Sequence, residues 1–179
     1  MKKFLVIGNP IEHSLSPELH NYWIKNNRID AIYEKKKLNE DQLEQLISQV
    51  KDNKINGINV TVPFKKTVIP YLDKLSTEAQ NTQSVNTIYQ KNSKIIGHNT
   101  DIFGFETSIK KSGYNLNNKE VLILGAGGVV PSIIFSLIKM KVSKITISNR
   151  TKEKAENLRK LFKNIEIIKW GETSNFDMI

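Results

Sequence analysis

The 179-residue chain has no cysteine, three arginines against 24 lysines, and no long apolar run. Without cysteine there can be no disulfide, no thiolate nucleophile and no cysteine metal site. No segment approaches the roughly 18 apolar residues that a membrane-spanning helix needs, so no contact with a membrane is expected. After Met1-Lys2-Lys3 the apolar run covers only 4–7 before Gly8-Asn9-Pro10 breaks it. That is too short for the apolar region of a signal peptide, which leaves the cytoplasm as the expected compartment. The net charge of +9 invites a nucleic-acid reading. It fails on residue type and placement: lysine lacks the bidentate fork of arginine. The longest basic run, Lys35-Lys36-Lys37, sits between Glu34 and Glu40-Asp41. No basic stripe interleaved with aromatics is present, so no nucleic-acid partner is expected. The three histidines (His13, His20, His98) lack a metal-like spacing with carboxylates, and no metal is expected.

Strand and helix patterns alternate throughout, which makes this an α/β chain. Strands are expected at 4–8, 31–38 and 57–62, and helices from Ser16, as N-cap before Pro17, and from 39 or 40. The second of these helices has Leu43, Leu46, Ile47 and Val50 on one face. The segment 66–75 reads as helical despite Pro70, and 85–90 with 94–98 as a hairpin around Lys91-Asn92-Ser93. A helix over 101–112 should end at Gly113, a C′ glycine. From about 119 the pattern becomes βαβαβ, with strands at 121–124, 144–148 and 165–170 and helices at 132–140 and 152–162. Two domains follow, 1–112 and 113–179, with the boundary on either side of the 101–112 helix if that helix bridges them. The second domain has three complete strands where about six are usual, and a further strand is expected from Phe176. A truncated chain is the expectation.

Two stretches carry chemistry. In Asn59-Val60-Thr61-Val62-Pro63-Phe64-Lys65-Lys66, a β-branched run ends at a proline and Lys65 falls just past the strand's carboxyl end. In open α/β sheets ligands bind at that edge, although a lone lysine there is more often merely solvated. In the second stretch, Gly125-Ala126-Gly127-Gly128 and then Val129 link a strand to a helix. Glycines in this context let backbone N–H groups approach a pyrophosphate at a helix N-terminus. The third glycine position of the usual motif is Val130, and that glycine serves mainly helix–strand packing. The end of the next strand reads Asn149-Arg150-Thr151-Lys152-Glu153-Lys154. Arg150 offers the planar donors that suit a 2′-phosphate, with Thr151 and Lys154 beside it, where an NAD site would present an acid. NADP is the expected cofactor.

Together these segments resemble the shikimate dehydrogenase family over the whole chain. The resemblance rests on Ser14-Leu15-Ser16-Pro17 with His20-Asn21, on 57–65, on Val85-Asn86-Thr87, on 97–104, and on Gly125-Ala126-Gly127-Gly128 with Asn149-Arg150-Thr151. It implies an N-terminal α/β substrate domain and a truncated Rossmann-like NADP-binding domain. A homodimer is the expected assembly. Ser14 and Ser16 would bind the substrate carboxylate, and Thr61, Asn86 and Asp101 the ring hydroxyls. Lys65 and Asp101 would form the catalytic pair. The implied reaction is reversible NADPH-dependent reduction of 3-dehydroshikimate to shikimate, on the route to chorismate and the aromatic amino acids. The competing readings are a quinate/shikimate dehydrogenase using NAD and a non-catalytic ligand-binding relative. Departures are Gln83-Ser84, where small residues are usual, and Val129-Val130-Pro131, where the run is usually more alanine-like. Taken singly, Ser16 and Asp101 also suit helix starts and Asn86 a turn.

Overall fold

In the computed structural model, which describes residues 1–172 and 175–179, side-chain alternation along β1 (Lys2–Gly8) sets the two faces of the first sheet. Successive residues of a strand point to opposite faces. Leu5 and Ile7 enter the main core, whereas Phe4 and Val6 join Tyr33 and Ile11 on the other side. The main core is closed by α2 (Leu43–Lys51), which buries the expected Leu43, Leu46, Ile47 and Val50. Truncating a fully buried leucine such as Leu43 to alanine costs about 2–5 kcal/mol in comparable cores. A single turn of tighter helix at Glu40–Gln42 precedes α2, and Asn39 N–H donates to the Gln42 side-chain oxygen at 2.8 Å.

The first sheet has six strands in the order β2-β1-β3-β5-β6-β4. β2 (Ala31–Lys37) and β3 (Gly57–Val60) flank β1 in parallel. β5 (Thr87–Lys91) runs antiparallel to β3 and forms the expected hairpin with β6 (Lys94–His98). β4 (Lys74–Leu75) pairs with the outer edge of β6. The helix expected over 66–75 is absent. Turns, a short tight helix at Ile69–Tyr71 and β4 occupy that segment instead. Val68, Ile69, Leu72 and Leu75 imitate a helical stripe, but they pack against the main core from irregular backbone that Pro70 keeps from continuing as an α-helix. The helix lies later, at α3 (Thr77–Thr82), where the Ser76 hydroxyl caps the Ala79 N–H at 3.2 Å.

Two more expectations need correction. β3 stops at Val60, short of the expected 62, and Val62 is 55% exposed, while Phe64 turns back into the core at 2%. In α1 (Ser16–Asn26) the cap position is Leu15, and Ser16 is the first helical residue.

The chain divides into units Met1–Asn99 and Thr100–Ile179. Helix α4 (Asp101–Ser112) has the expected limits and ends on Gly113 at φ 73°. It falls in the second unit, whereas a division at 112 would give it to the first. The Ser136 hydroxyl reaches the Ile102 carbonyl at 3.5 Å, Lys139 pairs with Glu106 at 2.6 Å, and Phe105 and Ile109 join the second core. The second sheet is parallel, in the order β7 (Glu120–Leu124), β8 (Lys144–Ser148), β9 (Ile165–Ile168). α5 (Val130–Lys139) and α6 (Lys152–Leu161) connect them. The strand expected from Phe176 is present as a single parallel bridge, Val121 to Met178, on the free side of β7. Asp177 fastens it: its carboxylate accepts from Glu120 N–H and Lys119 Nζ, both at 2.9 Å. These bonds hold the Asp177 carboxyl below the usual carboxylate range. No described helix is long and apolar enough to cross a membrane.

Candidate active site

In the first unit, parallel pairing of β1 and β3 brings the loops after Gly8 and Val60 to the same sheet edge. β5 is antiparallel to β3, so its first residues lie at that edge as well. Val60 N–H donates to the Asn86 carbonyl at 2.8 Å, and Asn86 N–H to the His98 carbonyl at 3.0 Å. The topology therefore collects Ser14, Ser16, Thr61, Lys65 and Asn86 at one end of one sheet. All five are partly buried, the state expected of groups lining a concave surface.

Gly8 makes this convergence possible. A Cβ there would stand 2.7 Å from the Thr61 methyl and 3.0 Å from the Val62 carbonyl oxygen. Only glycine lets the two loops approach so closely, and Asn9 N–H then donates to the Val62 carbonyl at 3.0 Å. The loop after β1 is braced further along. Ser14 N–H donates to the Ile11 carbonyl at 3.0 Å, and the Ser14 hydroxyl accepts from Ser16 N–H at 3.3 Å. Glu12 accepts from Lys37 Nζ at 2.9 Å, and chiefly this bond holds its carboxyl at about 2. Lys65 is fixed through its backbone: its carbonyl accepts from Val85 N–H at 2.8 Å, while Phe64 and Val68 on either side are buried. Asn99, 1% exposed, donates to the Thr82 hydroxyl at 3.2 Å and the Ser84 carbonyl at 2.9 Å, which pins the segment leading to Asp101. Asp101 itself opens α4 in the second unit.

Four partners of the site were not anticipated. Tyr33, Asn59 and Thr87 form a hydrogen-bonded chain ending on Asn86, and Asn99 holds the neighbouring strand end. A signal for Asn59 existed. In Gly57-Ile58-Asn59-Val60 the alternation buries Ile58 and Val60 in the main core and sends a polar amide to the opposite face. Such an amide needs partners. Burial pushes the Tyr33 phenol up to about 12, so it is a neutral donor.

In the second unit the glycine turn and the segment after β8 share one edge, because Leu124 and Ser148 are paired and Gly125 N–H donates to the Ser148 carbonyl at 2.8 Å. Gly125 has φ 119°, and a Cβ at Gly125 or Gly127 would meet nothing within 4 Å. The turn is thus an open backbone cradle in front of the ten-residue α5, as a pyrophosphate requires. Ala126 packs against the second core, and Gly128 and Val129 are exposed. Val130 is 6% exposed and packs into the second core, which accounts for a helix seated without the third glycine. Arg150, Thr151 and Lys154 are exposed beyond β8, and Asn149 Nδ2 donates to the Thr151 carbonyl at 2.7 Å, which shapes that loop. Among the described residues, no group of three or more acidic or histidine side chains could hold a metal ion.

The chain has counterparts among known proteins. The family model described as "Shikimate dehydrogenase substrate binding domain" matches residues 6–88, and that described as "Shikimate / quinate 5-dehydrogenase" matches 107–175. A shikimate dehydrogenase (NADP+) of Pelagibacter ubique is 61% identical over 178 residues, covering 99% of this chain and 67% of the relative. The crystal structure of shikimate dehydrogenase from Aquifex aeolicus superposes with a TM-score of 0.86 at 39% identity, over 94% of this chain and 62% of that one. The Thermus thermophilus enzyme in complex with NADP(H) and shikimate gives 0.83 at 32% identity, over 94% and 63%. The chain therefore spans about two thirds of its relatives' length, and over that span it belongs to the shikimate dehydrogenase (NADP+) family.

Proposed function

We propose that the protein containing this chain reduces 3-dehydroshikimate to shikimate, reversibly and with NADPH, in the cytoplasm. The observation that carries the reading is the convergence of Ser14, Ser16, Thr61, Lys65 and Asn86 on one sheet edge, built by parallel pairing and the Gly8 approach. Ser14 and Ser16 supply neutral donors for the substrate carboxylate. Thr61 and Asn86 hold ring hydroxyls. Gly125 to Val129 with Arg150, Thr151 and Lys154 would hold the phosphates of NADPH, whose nicotinamide would supply hydride to the carbonyl carbon. Lys65 gives the proton that the carbonyl oxygen needs as the C–O bond becomes single, and recovers it in the reverse direction. The family resemblance makes Asp101, which opens α4, a ligand of a ring hydroxyl and the second catalytic residue. Proton and hydride together make the alcohol. No acid stands among Asn149, Arg150 and Thr151 to hold the ribose hydroxyls of NAD, which favours NADP.

A homodimer and a lack of nucleic-acid affinity belong to the same proposal. The test is an oxidation assay of the full-length protein with shikimate or quinate and NADP+ or NAD+. Turnover with shikimate and NADP+ is expected to exceed every other pairing. No turnover with shikimate would overturn the reading.

A further inference from the structure

Resting on the reading of Ser14 and Ser16 as carboxylate ligands, we infer that Asn21 is a positioning residue. It sets the register of α1 along β2 and so places both serines for the substrate. A surface helix normally owes its seat to an apolar stripe. None of the eleven residues of α1 is buried. Its half-buried stripe runs through Pro17, His20, Asn21 and Ile24, polar at the centre, whereas Leu19, Tyr22 and Trp23 are exposed. Ile24 packs against the small cluster of Val6, Ile11 and Tyr33, and the His20 ring stacks on Tyr33 at 4.1 Å and 2°. Such contacts hold the helix on the sheet, but apolar contact is non-directional and does not fix where along β2 it sits.

Asn21 supplies the direction. β2 ends the sheet, and there the Tyr33 peptide groups meet a side chain instead of another strand. Asn21 Nδ2 donates to the Tyr33 carbonyl at 2.8 Å, and Tyr33 N–H donates to Asn21 Oδ1 at 3.0 Å. A carboxamide has one donor end and one acceptor end, and only this orientation satisfies both peptide groups. Tyr33 is 4% exposed, so neither group can turn to water without cost. Ser16 precedes Asn21 by about 7.5 Å of helix, and its N–H donates to the Ser14 hydroxyl at 3.3 Å. The bonds that tie this loop to β2, from Lys35 and Lys37 to Glu12, stop short of the serines, and Ser14 N–H reaches only the Ile11 carbonyl within the loop. A slip of α1 along β2 therefore moves both serines.

The test uses the full-length protein and Asn21→Leu, which keeps the approximate shape and removes donor and acceptor together. KM for shikimate should rise about three- to tenfold, with kcat within about twofold and KM for NADP+ unchanged. In a background of Ser14→Ala with Ser16→Ala, the same substitution should raise KM no further, because its route to the carboxylate is gone. Asn21→Asp, which keeps the acceptor and loses the donor, should show the same pattern and serves if the leucine variant does not fold. A crystal structure of either variant without substrate should show Ser16 displaced relative to Thr61 by more than about 0.5 Å, the tolerance of a preorganised site. That displacement decides the register even if shikimate proves the wrong ligand, a failure that wild-type turnover itself reveals. Ser16 in its wild-type place, or a KM effect that adds in full to that of the two serine substitutions, would overturn the inference.

Discussion

The candidate ligand sites of the two units are prepared by opposite means. In the first, side chains are oriented by other side chains: Asn86 is fixed by Thr87 and Asn59, and the hydroxyl of Ser14 is tied to its own loop. In the second, the cradle is bare backbone at Gly125 and Gly127, with exposed cations beyond β8. The sheets differ in the same sense. The first has six strands around β1 and β3, whereas β7 carries on its free side, among the described residues, only the bridge to Met178. A substrate with several hydroxyls in fixed directions needs preset donors, since unmatched buried polar groups are costly. A pyrophosphate needs mainly N–H groups and positive charge, which a turn and a helix start provide. Substitutions should therefore act on different kinetic parameters in the two units.

The largest effect belongs to the first unit. Lys65→Ala in the full-length enzyme should lower kcat by about 10²–10⁴, the usual share of general acid–base catalysis, and change KM for shikimate little. If steady-state kinetics showed kcat nearly intact and KM alone altered, Lys65 would be a binding residue.

Next in size is Arg150. Its replacement by alanine should weaken NADPH binding by about 1.5–3 kcal/mol, as for a charged hydrogen bond, and leave NADH nearly unchanged. Equal losses for both cofactors in titration calorimetry would remove Arg150 from the 2′-phosphate. Ser14→Ala should raise KM for shikimate about two- to tenfold at constant kcat, because the bond it removes forms in ground and transition states alike. A fall in kcat without a change in KM would place Ser14 in the chemistry instead.

The smallest effect concerns pH. Burial lowers the His20 pKa, so the native state resists protonating the ring stacked on Tyr33. Stability from this group is complete above the ordinary histidine range and is lost as pH falls toward the lowered native value. Denaturant midpoints should show this slope in the wild type and lose it in His20→Gln. An identical slope in both would assign it to another group.

Sequence alone revealed the elements whose signals are local. Gly113 ended α4 where a C′ glycine should, and the four apolar residues of α2 face the core as their spacing required. The 66–75 segment misled because its apolar spacing imitates a helix, whereas α3 carries little apolar periodicity and shows itself mainly through the Ser76 cap. Within the site, motif residues were legible but their support was not. Tyr33, Asn59 and Thr87 lie 26 and 28 residues apart along the bonds that join them, and only strand order makes them neighbours. The Gly8–Thr61 approach is invisible for the same reason.

Amide hydrogen exchange of the full-length protein, with each ligand added alone, tests the division of labour most directly. Saturating shikimate should slow exchange at 61–68 and 86–88 and leave 125–130 unchanged. NADP+ should slow 125–130 and leave the first set unchanged. Protection of the glycine turn by shikimate alone, or of the Lys65 segment by NADP+ alone, would contradict the account.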